Sequence, residues 1–271
     1  MITTHGLKMP KLGLGTWKLS GETGTQSVLS ALELGFRHID TAARYENEDA
    51  VGLALSQSTV PRADIHLTTK VWWDNLTPDA IRRSLDSSLT KLKTGYVDLF
   101  LIHWPSPDMD LPAALGEMMK CKDEGLVRNI GVSNFPTALV KQAVEEIGAP
   151  IAANQVEYHV LLSQSKLLGV CRSLGVALTA YCPLAQGRLA DYPALDAIAA
   201  KHGVSSAQVA LKWLLDQQGV AAIPKAGRAS SQQANLDALK LVLDEADRAA
   251  IAALPKDQRF VSPGFAPSWD K

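Results

Sequence analysis

The chain has 271 residues, 27 Lys and Arg against 28 Asp and Glu, and a formal charge of −1 at pH 7. That balance provides no broad field to hold nucleic acid or anionic lipid. The opening MITTHGLKMP lacks the charged and apolar regions of a signal peptide, and no apolar run reaches the length of a membrane span, so a cytoplasmic protein is expected.

Short runs rich in Val, Ile and Leu alternate with longer segments of helical period, the pattern of repeated βαβ units. Strands are predicted over residues 12–16, 37–40, 65–69, 97–103, 129–133, 152–157, 177–180 and 221–224. Eight such strands fit a parallel (β/α)8 TIM barrel, which typically takes about 250 residues. At the first strand, LGLGTWKL begins as G-x-G, but Lys18 stands where a dinucleotide fingerprint needs its third glycine, so a Rossmann reading fails. Gly13 and Gly15 are instead read as allowing a tight turn at the barrel top, from which Trp17 projects. Thr77 and Pro78 read as the N-cap and first residue of a helix with Ile81, Leu85, Leu89 and Leu92 on one face. Cys121, Cys171 and Cys182 form no C-x-x-C pair, which argues against structural zinc and reads as small buried hydrophobes. Ser205 and Gln208 make a capping box ahead of ALKWLL. Without a linker or low-complexity stretch, residues 1–271 read as one domain. Its last part, 256–271, is an irregular tail that either folds over the pocket mouth or ends as a frayed terminus.

Asp40, Tyr45, Lys70 and His103 lie far apart in sequence, yet each falls where a predicted strand ends or the next helix is about to begin. In a parallel barrel those ends converge on one face, so the four can share a pocket. A phenol, an ammonium, a carboxylate and an imidazole placed together can deliver a proton to a carbonyl oxygen while another group delivers hydride. Each residue taken singly also has an ordinary structural reading, as surface tyrosine, solvated lysine or core histidine.

The segments around these residues carry more. GFRHIDTAARYENEDAVGLAL holds Asp40 and Tyr45, TTKVW holds Lys70 and Trp72, and DLFLIHWP holds His103 and Trp104; IGVSNF, NQVEYH, AYCPLAQG and IPK follow. In this order, over essentially the whole chain, they resemble the aldo-keto reductase family. The brief loop after His103 and the brief tail are similar to those of short bacterial members such as the 2,5-diketo-D-gluconate reductases.

The resemblance implies an NAD(P)H-dependent reductase of aldehydes or ketones, reversible toward alcohol oxidation, with a small-molecule carbonyl substrate, no metal, and a monomeric habit. It implies that Tyr45 is the general acid, that Lys70 lowers the phenol's pKa, that Asp40 holds Lys70 charged, and that His103 orients the carbonyl. Ser133, Asn134 and Gln155 are then expected to clamp a nicotinamide carboxamide, Tyr181 to stack on its ring, and Leu184, Gln186, Gly187 and Arg188 to line the pyrophosphate. Lys225 and Arg228 would meet a 2′-phosphate and Asn235 the adenine, favouring NADPH. Ala226 in place of a usual serine, and Ser231 in place of a common arginine, predict weaker 2′-phosphate selection and some NADH use. Trp17, Trp72 and Trp104 are expected to wall the carbonyl site, with Trp73 and Asn75 extending its rim. The short loop over residues 105–111 points to an open, permissive mouth. Two other readings stand beside this one: a barrel aldolase using Lys70 as a Schiff-base lysine, which pairing with Asp40 disfavours, and a reductase-like barrel kept as a binding subunit.

Overall fold

The computed structural model describes residues 1–270. The chain opens with an antiparallel hairpin, β1 (Ile2–Thr4) and β2 (Leu7–Met9). Alternation follows: β3 (Leu14–Gly15), α1 (Gly21–Leu34), β4 (His38–Asp40), α2 (Glu48–Gln57), β5 (His66–Val71), α3 (Pro78–Lys91), β6 (Leu99–Ile102) and α4 (Leu111–Asp123). Then come β7 (Ile130–Ser133), α5 (Thr137–Lys141), β8 (Ile151–Glu157), α6 (Ser165–Ser173), β9 (Ala177–Tyr181), α7 (Pro193–His202) and α8 (Ser206–Leu215). The last elements are β10 (Val220–Ala222), α9 (Ala229–Asp237) and α10 (Glu245–Ala252).

Strands β3 to β10 are parallel neighbours in chain order. Gly13 N donates to Ala222 O at 2.9 Å and Gly15 N to Pro224 O at 3.1 Å, joining the first strand to the last. The chain is therefore a (β/α)8 barrel, with its eight strands in the predicted order. The two glycines serve closeness at this seam rather than a turn: a Cβ on Gly15 would meet Ile223 O at 2.6 Å, and one on Gly13 the His38 ring at 2.7 Å. Strand β3 is only two residues long where five were predicted, with an isolated bridge from Leu12 to Ala222 beside it.

The strands are buried along their length because helices cover them outside and side chains fill the barrel inside. At the N-terminal end the hairpin is the plug: Ile2, Leu7 and Met9 pack against Leu99, Leu101, Ala152, Ala153, Ala177 and Ala221. The small alanines leave the room that Leu7 and Met9 fill, and both of these are fully buried. This hairpin was not expected, because its two runs, ITT and LKM, lack the clustered Val, Ile and Leu by which strands were read. Helix α3 begins with Thr77 and Pro78 as read, although the Thr77 hydroxyl makes no capping bond. The Ser205–Gln208 box closes in both directions at the start of α8.

Beyond α10 the described chain forms no helix or strand. Ser163 N donates to Lys256 O at 2.8 Å and Gln258 N to Leu161 O at 2.9 Å, and from there the tail runs across the barrel's C-terminal face.

Candidate active site

Asp40 closes β4, a short 3-10 turn over Ala43–Tyr45 follows, and His103 comes one residue after β6. Lys70 was expected just past its strand; β5 runs on to Val71, so Lys70 lies within it, paired in register with Leu101. All four side chains meet at the C-terminal face.

The Lys70 ammonium is fully buried and Asp40 is 1% exposed. Lys70 Nζ donates to Asp40 Oδ1 at 2.5 Å, to Thr41 O at 2.7 Å and to Tyr45 Oη at 3.4 Å, which uses its three hydrogens. Asp40 Oδ2 accepts from Gln155 Nε2 at 2.7 Å. A charge pair this deep is tolerable only because both members are so fully bonded.

Burial pulls the Lys70 pKa down, opposed by Asp40. Burial, followed by the negative charge of Asp40, pushes the Tyr45 phenol well above its ordinary value. This corrects the expectation that Lys70 brings the phenol down: desolvation of the phenolate outweighs an ammonium 3.4 Å away whose charge is already taken up by Asp40. Tyr45 is thus a protonated phenol across the neutral range, the form a proton donor needs. Burial, then the Lys70 charge, holds His103 well below its ordinary pKa, so the imidazole is neutral. Its Nδ1 is buried with no partner among the described residues, and its ring lies edge-on to Tyr45 at 5.5 Å and to Trp72 at 5.0 Å.

Ser133, Asn134, Gln155 and Tyr181 line up beside the quartet and bond to one another's strands. Ser133 Oγ donates to Gln155 O at 2.7 Å, Asn134 Nδ2 to His103 O at 3.0 Å and to Ser133 Oγ at 3.1 Å, and Tyr181 Oη to Asn134 Oδ1 at 2.8 Å. Asn134 holds its place in the left-handed region, at φ 62°. Farther along, Leu184 precedes a 3-10 segment, Ala185–Asp191, in which Gln186 and Gly187 adopt left-handed conformations and, with Arg188, are exposed. Lys225 and Arg228 are exposed just after β10, and among the described residues neither pairs with a carboxylate. Asn235 is 7% exposed and has no side-chain partner among them. Two cations just ahead of α9, unpaired among the described residues, suit a nucleotide phosphate, and the unengaged Asn235 amide in the last turn of that helix suits a base. Gln155 Oε1, unbonded among the described residues while its nitrogen serves Asp40, can accept from a carboxamide. The residues present therefore fit a nicotinamide dinucleotide.

Trp17 packs edge-on against Tyr45 at 4.9 Å while half exposed. Trp72 and Trp104 lie on the other side, with Trp73 half-buried beside them and Asn75 exposed on the rim. The mouth is less open than the short 105–111 loop implied, because the tail covers it. Phe265 stacks on Trp73 at 4.9 Å and meets Trp72 and Trp104 edge-on at 5.7 and 5.6 Å, while Trp269 reaches Trp104 at 6.0 Å. Of the two readings of the 256–271 tail, the structure has it over the mouth; no pocket role was assigned to Phe265 in it, nor to Glu157, the anchor described below. Glu157 was visible in NQVEYH as the residue two after Gln155, on the same face of a strand.

Among the described residues no cluster of His, Cys, Asp or Glu could hold a metal, and no helix is long and apolar enough to cross a membrane. The sequence profile of the Aldo/keto reductase family matches residues 11–256. The chain is 44% identical over 268 residues to the methylglyoxal reductase DkgB of Yersinia pestis, covering 97% of this chain and 100% of that one. It is 39% identical over 258 residues to the glyoxal reductase of Bacillus subtilis (strain 168), covering 94% and 92%. A crystal structure described as a candidate 2,5-diketo-D-gluconic acid reductase B superposes with a TM-score of 0.96 at 43% identity, covering 100% of this chain and 97% of that one. With the barrel and the matching segments in place from end to end, the chain belongs to the aldo/keto reductase family.

Proposed function

We propose that this oxidoreductase reduces small aldehydes and ketones, α-dicarbonyls foremost, with NADPH as its preferred cofactor and NADH as a weaker one. The carrying observation is the run from buried Gln155, Asp40 and Lys70 out to half-buried Tyr45, ending beside a neutral His103. A bound reduced nicotinamide would supply hydride to the carbonyl carbon. His103 orients the carbonyl oxygen toward the phenol, and Tyr45 releases its proton to that oxygen as negative charge develops there. The raised resting pKa keeps the proton on Tyr45 until the oxygen becomes the stronger base. Lys70 then stabilises the phenolate, held charged by Asp40.

The Schiff-base alternative gains no support, since an amine bonded to a buried carboxylate is kept protonated. The preference for α-dicarbonyls is supported by the similarity to methylglyoxal and glyoxal reductases and by the compact aromatic mouth. Lys225 and Arg228, exposed after the last strand and unpaired among the described residues, support the 2′-phosphate reading. The test follows NADPH absorbance with purified protein across α-dicarbonyls, aldehydes, keto sugars and ketones, with Tyr45→Phe alongside. Tyr45-dependent consumption is expected; NADPH binding without turnover of any carbonyl would overturn the reading in favour of a binding barrel.

A further inference from the structure

We propose that Glu157 is a positioning residue for the carbonyl site: it clamps the C-terminal strap that seats Phe265 in the pocket wall, and so governs which carbonyl side groups the site accepts. The proposal rests on the reductase reading above.

Glu157 ends β8 and is fully buried, yet its carboxylate bonds to none of the four proposed catalytic side chains. A buried carboxylate is costly unless its oxygens are bonded. Here they are bonded chiefly by the tail: Phe260 N donates to Oε1 at 2.8 Å and Val261 N to Oε2 at 2.9 Å, with His159 Nε2 at 3.0 Å from Oε1. In a segment with no helix or strand, these two backbone donors find in Glu157 what a sheet neighbour would otherwise provide. Phe260 is further held by stacking on His159 at 5.2 Å and by the Arg188 guanidinium 4.5 Å above its ring.

The other end of the strap is fixed independently. Asp270 caps α5, accepting from Thr137 N at 2.9 Å and Thr137 Oγ1 at 2.6 Å. Between the clamps the chain turns, Ala266 N donating to Pro263 O at 2.8 Å, and this turn presents Phe265 to Trp72, Trp73 and Trp104. Trp72 in turn touches His103. Position is thus transmitted from Glu157 to the catalytic pocket by one strap and two aromatic contacts. Releasing either clamp frees Phe265, and a substrate large enough to reach that wall loses its contact.

The experiment compares Glu157→Gln, Phe265→Ala, Asp270→Ala and the Glu157→Gln/Phe265→Ala double variant, using benzaldehyde and methylglyoxal with NADPH. Gln presents an N–H where Glu157 accepts one, so at least one backbone bond is lost. Each single variant is expected to raise KM for benzaldehyde roughly tenfold relative to methylglyoxal, about 1.4 kcal/mol, with the change in KM rather than kcat. The double variant should be no worse than Phe265→Ala alone, because both act through one ring. Hydrogen exchange of the Phe260 and Val261 amides, expected to quicken in Glu157→Gln, reads the clamp without turnover. Unchanged exchange, an unchanged KM ratio, or effects that multiply would overturn the proposal. Asp270→Ala reaches the strap without disturbing a buried charge, so its KM ratio decides the matter should Glu157→Gln fail to fold. If the wild type turns over no carbonyl while its amides are protected, the reductase reading falls and the specificity role with it, while the clamp stands.

Discussion

Gln155 donates its side-chain amide to Oδ2 of Asp40 at 2.7 Å, across the barrel from β8 to β4. Lys70 holds the other carboxylate oxygen, so the carboxylate is fixed from two sides and the ammonium cannot swing away from Tyr45. Asp40→Asn removes the charge that offsets a fully buried ammonium. Breaking one side of a buried pair costs about 3–5 kcal/mol. Urea unfolding should show a loss of that size, and kcat should fall because Lys70 loses the partner that keeps it charged. A variant as stable as the wild type would mean that Lys70 is already neutral.

Tyr45→Phe keeps the ring, and with it the packing against Trp17 and His103. Loss of the acid should lower kcat by about 10²–10⁴, with NADPH affinity by fluorescence titration nearly unchanged. Because burial raises the phenol's pKa, wild-type reduction should show no loss of activity from Tyr45 ionisation between neutral pH and about pH 10. A fall in kcat near neutral pH that Tyr45→Phe abolishes would show the phenol titrating there instead.

Lys225→Ala removes one exposed cation after β10. KM should rise for NADPH and stay nearly constant for NADH, because only NADPH carries the 2′-phosphate. Parallel changes for both cofactors would place the phosphate elsewhere.

The barrel was legible because buried parallel strands are continuous apolar runs, and the quartet because strand ends must converge. What escaped detection depended on distance in three dimensions. The β1–β2 hairpin packs on leucines and alanines that come from four distant strands, and the segment carrying Phe265 is tied down at Glu157 and Asp270, more than a hundred residues apart. The Tyr45 pKa was misjudged for a similar reason: proximity of a lysine is readable from motif order, whereas the desolvation that outweighs it is a property of the closed fold.

His38 and His66 face each other edge-on at 4.8 Å inside the barrel, and burial lowers both pKa values, that of His66 well below the ordinary range. His38 Nδ1 lies 3.1 Å from Pro10 O, while its Nε2 has no partner among the described residues. Above about pH 6.5, the usual imidazole value, both rings are neutral folded or unfolded and the shifts cost nothing. As pH falls below that value the unfolded chain takes up protons that the folded barrel refuses, so stability is lost with acid and regained as pH rises. Each refused proton contributes a slope of about 1.4 kcal/mol per pH unit. His66→Gln should therefore flatten the pH dependence of urea-unfolding free energy below pH 6.5 by about that amount. The remaining slope belongs in part to His38 and His103, whose pKa values are lowered as well. An unchanged slope in the variant would mean that His66 is protonated in the folded barrel, and the acid sensitivity would then have to arise from the other groups.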